Sequence, residues 1–335
     1  MSAPVPLLHQ RFPELRGALP HLRLGSGPTP VRHLPGLSTG PAPVWVKCDG
    51  EFGDGGWGGN KVRKLEWLLA DALRRDRRTV LTVGGLGTNW GLATALYARD
   101  RGLHTALALV DQPVDDHVCA QLARLRRSGA TLHFTHSKAR TLALAPFLAA
   151  RHTTGYRLPY FVPPGGSSPV GVLGYVEAAL ELAGQIRQGI LPEPSHIVTP
   201  VGSGGTVAGL LLGLRLSGLR TQVVGVVVND TLRLDPPALV RLAHRTQKLL
   251  VSRGADLRTV DVPADGLLIV RDWLGPAYGH PTEEAKRAQR LAADTENLVL
   301  EPVYTAKAMA ALFALNAEGR FGDDPVLYLD TNGPR

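Results

Sequence analysis

The chain has 335 residues, room for about two domains and a large buried core, so a miniature scaffold is excluded. Hydrophobic residues make up 44% and charged residues 20%, ordinary globular usage that excludes wholesale disorder and fibrous repeats. A balance of 37 basic against 29 acidic residues leaves +8, but no block of five basic residues and no aromatic-studded strand accompanies it, so no nucleic-acid partner is expected.

In chain order, the N-terminal MSAPVPLLHQRFPELRG lacks a basic start followed by an apolar core, which predicts a cytoplasmic protein without a secretory signal. Segment 26–43, rich in Pro and Gly, reads as a loop or extended arm. An amphipathic helix follows Gly59. From about Arg78, TVLTVGG (79–85), HTALALV (104–110), ATLHFTH (130–136) and LPYFVPP (158–164) alternate with helical patterns at 89–102, 115–128 and 138–153. This is the spacing of βαβ units with buried parallel strands, and it assigns 53–160 to a small α/β domain. Next come a helix at 171–187, HIVTPVG (196–202), a helix at 205–217 and TQVVGVVV (221–228). Helices at 234–253, 282–295 and 305–317 and the strand PVLYLD (325–330) complete the pattern. Residues 1–52 plus 161–335 are thereby read as a larger α/β domain. The most apolar stretch, 201–216, is broken by glycines and Arg215, so no membrane span is expected. Cys48 and Cys119 lie in no CxxC or metal-type spacing and read as free thiols; no metal is expected.

Parallel sheets bind ligands at the carboxyl ends of their strands, which directs attention to the loops there. In TPVGSGGTVAGLLLGL (199–214), Gly202, Ser203, Gly204, Gly205 and Thr206 join a β-branched strand to an apolar helix. Backbone N–H groups, two hydroxyls and the positive end of a helix suit a phosphate, although a merely tight turn has the same composition. A Walker loop requires Gly-Lys-Ser/Thr, and no lysine lies between Lys138 and Lys248. A dinucleotide site remains open at this point, since 202–209 reads GSGGTVAG with Asp230 about twenty residues on. Upstream, Gly55, Gly56, Gly58 and Gly59 precede Asn60 and Lys61 in GGNKVRKLE. A lysine at a helix start opposes the dipole and suits an anion neighbour or a Schiff-base amine; a surface lysine is the plainer reading.

GGNKVRKLEWLLADAL, GGLGTNWG, PPGGSSPVGVLGYVEAALE, VGSGGTVAGL, GPAYGHPTEE and EPVYTAKAM occur in one order from about Trp45 to Leu329. Together they resemble the 1-aminocyclopropane-1-carboxylate deaminase and D-cysteine desulfhydrase family, of the tryptophan-synthase-β-like, fold-type II group. The resemblance implies two open-sheet α/β domains and the cofactor pyridoxal 5'-phosphate. It makes Lys61, beside Asn60, the lysine that carries the cofactor as an internal aldimine and moves the substrate α-proton. It places the phosphate on Gly202 to Thr206, Asn89 at the ring hydroxyl, Thr88 beside the substrate carboxylate, and Thr305 opposite the pyridine nitrogen. Tyr278 and Tyr304 become proton donors or acceptors facing the substrate. Apart from the resemblance, Thr88 and Asn89 read as an N-cap pair and the tyrosines as packing residues.

Departures from the family pattern bear on the chemistry. Where ring-opening deaminases carry glutamate in VYEGK, this chain has Thr305, which favours β-elimination over cyclopropane opening. Gly87-Thr88-Asn89-Trp90 replaces Gln-Ser-Asn-His/Gln, and bulky Trp90 predicts a narrowed pocket. Asp330-Thr331-Asn332-Gly333 stands for HTGG near the last strand, and the shorter end suggests an altered pocket or subunit contact. The expected function is a pyridoxal-phosphate lyase or deaminase on a small amino acid, by β-elimination from D-cysteine or a β-substituted alanine to keto acid and ammonia. Aminocyclopropane carboxylate deamination, a cofactor-binding member with altered or lost activity, and a nicotinamide-dependent oxidoreductase are the alternatives. A homodimer is expected from size alone.

Overall fold

In a computed structural model, residues 5–55, 57–257, 260–262 and 264–333 are described. Two short helices, α1 (Leu7–Arg11) and α2 (Leu15–Ala18), precede strands β1 (Val31–His33) and β2 (Val44–Cys48) and helix α3 (Asn60–Arg74). The next stretch alternates: β3 (Thr79–Gly85), α4 (Asn89–Arg99), β4 (His104–Val110), α5 (Asp116–Arg127), β5 (Thr131–His136), α6 (Lys138–Arg151) and β6 (Tyr160–Val162). Then follow α7 (Pro169–Arg187), β7 (His196–Val201), α8 (Gly205–Leu216), β8 (Gln222–Val227), α9 (Pro236–Ser252), β9 (Leu267–Val270), α10 (Glu283–Glu296), α11 (Thr305–Ala317) and β10 (Val326–Asp330).

Strands β3 to β6 form a four-stranded parallel sheet in the order β5-β4-β3-β6, and the others a six-stranded sheet in the order β1-β2-β10-β7-β8-β9. Only β1 runs antiparallel, along the edge of β2. Side-chain alternation explains how helices come to cover both faces of the larger sheet. Ile197, Val201, Val223, Val227, Leu327 and Leu329 pack against α7, α8 and α9. Val198, Val224, Val226, Val326 and Tyr328 point the other way, against α10 and α11. Helix starts are set locally, because Thr88, Asp115, Ser137, Ser168, Asp235 and Thr282 each accept a backbone N–H three residues on. Among the described residues no helix is long and apolar enough to cross a membrane.

The arm at 26–43 contains β1, which is too short and too polar to announce itself as a strand. Strand β2 hides similarly, because Lys47 interrupts its apolar run, yet the residue is only 1% exposed. A buried ion network explains that burial. Lys47 Nζ donates to Glu181 Oε1 at 2.6 Å, Arg63 Nη2 to the same oxygen at 3.0 Å, and Arg63 Nε to Asp49 Oδ1 at 2.7 Å. Tyr175 donates its hydroxyl to Asp49 Oδ2 at 2.7 Å. Burial alone would raise Glu181, but Arg63 and Lys47 outweigh it and hold the carboxyl at about 2. The network joins α3 to α7 and β2 and so fixes the helix that begins at Asn60.

Candidate active site

Helix α3 starts from a corner that only glycine can make. Gly59 has φ +43°, and a Cβ there would stand 2.4 Å from the Gly50 carbonyl oxygen and 2.9 Å from Gly333 Cα. Gly56 lies outside the described residues. Beyond the corner, buried Asn60 accepts a hydrogen bond from Lys61 Nζ at 2.7 Å. One turn on, Lys64 is 5% exposed, and its Nζ donates to the Gly165 carbonyl at 3.1 Å. Burial, and then the charge of Lys61, push Lys64 down to about 7. No carboxylate pairs with it among the described residues. A buried cation without a counter-charge is costly, and it marks a place where an anion would be welcome.

That place is the glycine loop. A Cβ on Gly205 would stand 2.7 Å from Ser167 Oγ and 3.0 Å from Lys64 Nζ, so the missing side chain admits both groups to the start of α8. Ser167 Oγ accepts the Gly205 N–H at 3.0 Å and donates to Ser203 Oγ at 2.9 Å. Buried Gly204 and Thr206 complete the turn. The ring of Tyr304 covers Gly202, whose Cβ would meet Tyr304 Cε1 at 2.8 Å. Amides, hydroxyls, a helix N-terminus and an amine without a carboxylate partner therefore converge, a donor set that fits a phosphate monoester.

Along the rim, the hydroxyls of Tyr278 and Tyr304 are 2.6 Å apart. Burial raises Tyr278, partly offset by the bond to Tyr304. The Tyr278 N–H donates to Asp230 Oδ1 at 3.3 Å, which pins its loop to the end of β8. Following β3 of the smaller sheet, Thr88 caps α4 by accepting the Gly91 N–H at 3.0 Å, and Asn89 Oδ1 accepts from Gln121 Nε2 at 2.5 Å. Thr305 is fully engaged. Its hydroxyl accepts the Glu301 N–H at 2.7 Å and donates to the Glu301 carbonyl at 3.2 Å. The Glu301 carboxylate meanwhile collects the N–H groups of Val303, Tyr304 and Thr305, capping α11.

Trp90 is a correction. Its indole is 4% exposed, donates to Thr82 Oγ1 at 2.9 Å and packs with Leu68 and Val162 in the core. It supports the 164–166 turn from beneath and does not narrow a pocket, because a core indole with a satisfied N–H has no reason to face solvent. Sequence reasoning also missed Lys64 and Ser167. Lys64 follows Lys61 by three residues and so shares its helix face, a spacing that could have revealed it. Asp330, at the end of β10, stands out in the sequence only as a departure from the family motif: burial raises its carboxyl to about 7, while the Asn332 N–H donates to it at 3.0 Å. An open cleft of about 620 Å³, lined by Arg32, Cys48, Glu51, Glu296 and Asn332, adjoins Asp330 and includes none of the predicted site residues.

One parallel and one mostly parallel sheet, a glycine cradle for a phosphate and a lysine at the neighbouring helix start define a protein built for a phosphate-tailed carbonyl cofactor. The model of the pyridoxal-phosphate dependent enzymes matches residues 22–331, and the chain belongs to that family. D-cysteine desulfhydrase of Salmonella paratyphi A is 35% identical over 323 residues, covering 94% of each chain. The protein of that name from Klebsiella pneumoniae (strain 342) is 36% identical over 323 residues, with the same coverage. A crystal structure described as an ACC deaminase homologue superposes with a TM-score of 0.80 at 31% identity, covering 96% of this chain and 93% of that one. The expected fold, cofactor and enzyme class stand on these matches.

Proposed function

We propose that this enzyme takes a small amino acid, removes its α-proton and expels a β-substituent to leave a keto acid and ammonia, with D-cysteine as the first substrate. The observation that carries the cofactor in this reading is Lys64, a buried amine without a carboxylate, between Lys61 and the glycine loop. When bound, pyridoxal phosphate supplies the electron sink that makes the α-proton acidic. Lys64, Ser203, Thr206 and the loop amides would hold the phosphate. Lys61 Nζ would attach the aldehyde carbon and then move the α-proton, with Asn60 fixing its position. Asn89 would meet the ring oxygen and Thr88 the substrate carboxylate. The Tyr278–Tyr304 pair would pass a proton between hydroxyls at the substrate. Thr305, with its hydroxyl held by the Glu301 backbone, brings no carboxylate to the pyridine nitrogen, which favours elimination over ring opening. The relatives named D-cysteine desulfhydrase support the same choice.

The test is a panel of D-cysteine, L-cysteine, β-chloroalanine and aminocyclopropane carboxylate with the cofactor-loaded protein, measuring keto acid and ammonia. Turnover of D-cysteine and β-chloroalanine is expected. Turnover of aminocyclopropane carboxylate alone would overturn the assignment.

The same reading treats 53–160 as a smaller lobe around the four-stranded sheet and places the enzyme in the cytoplasm, where two free thiols stay reduced. It also takes the protein to be a homodimer. Leu142 and Phe147 on α6 and Phe161 on β6 are exposed, a supply of apolar surface for a second copy. Light scattering should give twice the chain mass, and a monomer at micromolar concentration would remove this part of the proposal.

A further inference from the structure

We infer that Gln121 and Arg124 are positioning residues that fix which end of the Asn89 amide faces the ligand. The inference rests on the reading above, in which Asn89 meets the ring oxygen of the cofactor. Oxygen and nitrogen ends of an amide are nearly equivalent in shape, so an isolated asparagine offers either a donor or an acceptor. Here the choice is imposed from outside. Arg124 Nη1 donates to Gln121 Oε1 at 3.0 Å, and a guanidinium has no acceptor, so that oxygen cannot exchange places with the nitrogen. Gln121 Nε2 is thereby turned toward Asn89 and donates to its Oδ1 at 2.5 Å. With its oxygen held toward Gln121, Nδ2 is the end of Asn89 left for the ligand, and that nitrogen has no partner among the described residues. The chain of polarity runs from arginine to glutamine to asparagine to ligand, each step a donor meeting an acceptor.

Burial makes the constraint effective. Gln121 is 0% exposed, so water does not compete for its amide, and the Arg124 guanidinium lies 5.1 Å from the centre of the Trp57 ring, which holds it in place. The site consequently selects a ligand oxygen that accepts, and most strongly one that carries negative charge.

Isosteric Gln121→Glu keeps a partner for Arg124 but has no N–H to give. Asn89 would then turn its Nδ2 to the new carboxylate and present an oxygen to the ligand. The experiment titrates cofactor-free protein spectrophotometrically with pyridoxal phosphate and with 3-deoxypyridoxal phosphate, which lacks the ring oxygen. Gln121→Glu is expected to bind pyridoxal phosphate about tenfold or more weakly, with a change of less than about twofold for the deoxy compound. Arg124→Met, which leaves Gln121 free to turn over, should show the same contrast at smaller size and covers the case in which Gln121→Glu does not fold. Equal losses for both compounds, or no loss for either, would overturn the inference and leave the cofactor reading intact. Wild-type protein binding neither compound would overturn both.

Discussion

Lys64, whose Nζ would stand 3.0 Å from a Cβ on Gly205, is the ionisable side chain beside the glycine loop. In the folded, unliganded chain it sits at about 7, against 10.5 for an ordinary lysine, because burial and the charge of Lys61 disfavour the ammonium. Between those values the unfolded chain holds a proton that the folded one has released, so this group makes the unliganded protein more stable as pH rises from about 7 to 10.5. A phosphate reverses the balance by restoring charge to the amine. Cofactor binding at pH 8 should therefore take up a proton, seen as a dependence of the calorimetric heat on buffer ionisation enthalpy. Lys64→Met should abolish that uptake and weaken binding by about tenfold or more; uptake unchanged in the variant would refute the assignment. Sequence alone singled out Lys61 but not Lys64, because exposed lysines are the rule and nothing in the composition signals a buried one. Trp90 misled for a related reason: its place in a substrate motif suggested a pocket wall, whereas the indole found better use in the core, bonded to Thr82.

Helix α3 owes its placement to the ion network at Asp49, Arg63, Lys47 and Glu181, which lies on the side of the helix turned toward α7. Removing one member leaves a buried opposite charge unanswered, so Glu181→Gln is expected to cost about 3–5 kcal/mol of stability, measured by denaturant unfolding near pH 7. The sign with pH follows from the Glu181 carboxyl being held at about 2, below its ordinary 4.5. Its contribution is present above about 4.5 and is lost as pH falls toward 2, so the variant should lack that part of the acid dependence. A cost below about 1 kcal/mol would show that the network adds little. The long buried strands β3, β4, β7, β8 and β10 were readable from continuous apolar runs, and the helices between them from their periodicity. Strands β1, β2 and β9 were not, since each is short and β2 depends on a lysine neutralised from 134 residues away.

Across the whole molecule, the loops proposed to share one cofactor lie on elements that are distant in sequence. The glycine loop follows β7 in the six-stranded sheet, and the loop before α4 follows β3 in the four-stranded one, each at the carboxyl edge of a parallel sheet. The start of α3 meets both sides: a Cβ on Gly58 would touch Ala93 of α4 at 2.8 Å, and one on Gly205 would stand 3.0 Å from Lys64 Nζ, three residues from Lys61. Motif order singles out these loops in the sequence, but the engagement of Thr305 by Glu301 and the fixing of Asn89 by Gln121 depend on contacts that no local pattern announces. All of the proposed chemistry requires that Lys61 become covalently attached to the bound aldehyde. Borohydride reduction of the protein loaded with pyridoxal phosphate, followed by peptide mapping, reads that bond. The label should fall on Lys61, with the visible band of the complex bleached and Lys61→Ala unlabelled; a label on Lys64 or any other lysine would contradict the account.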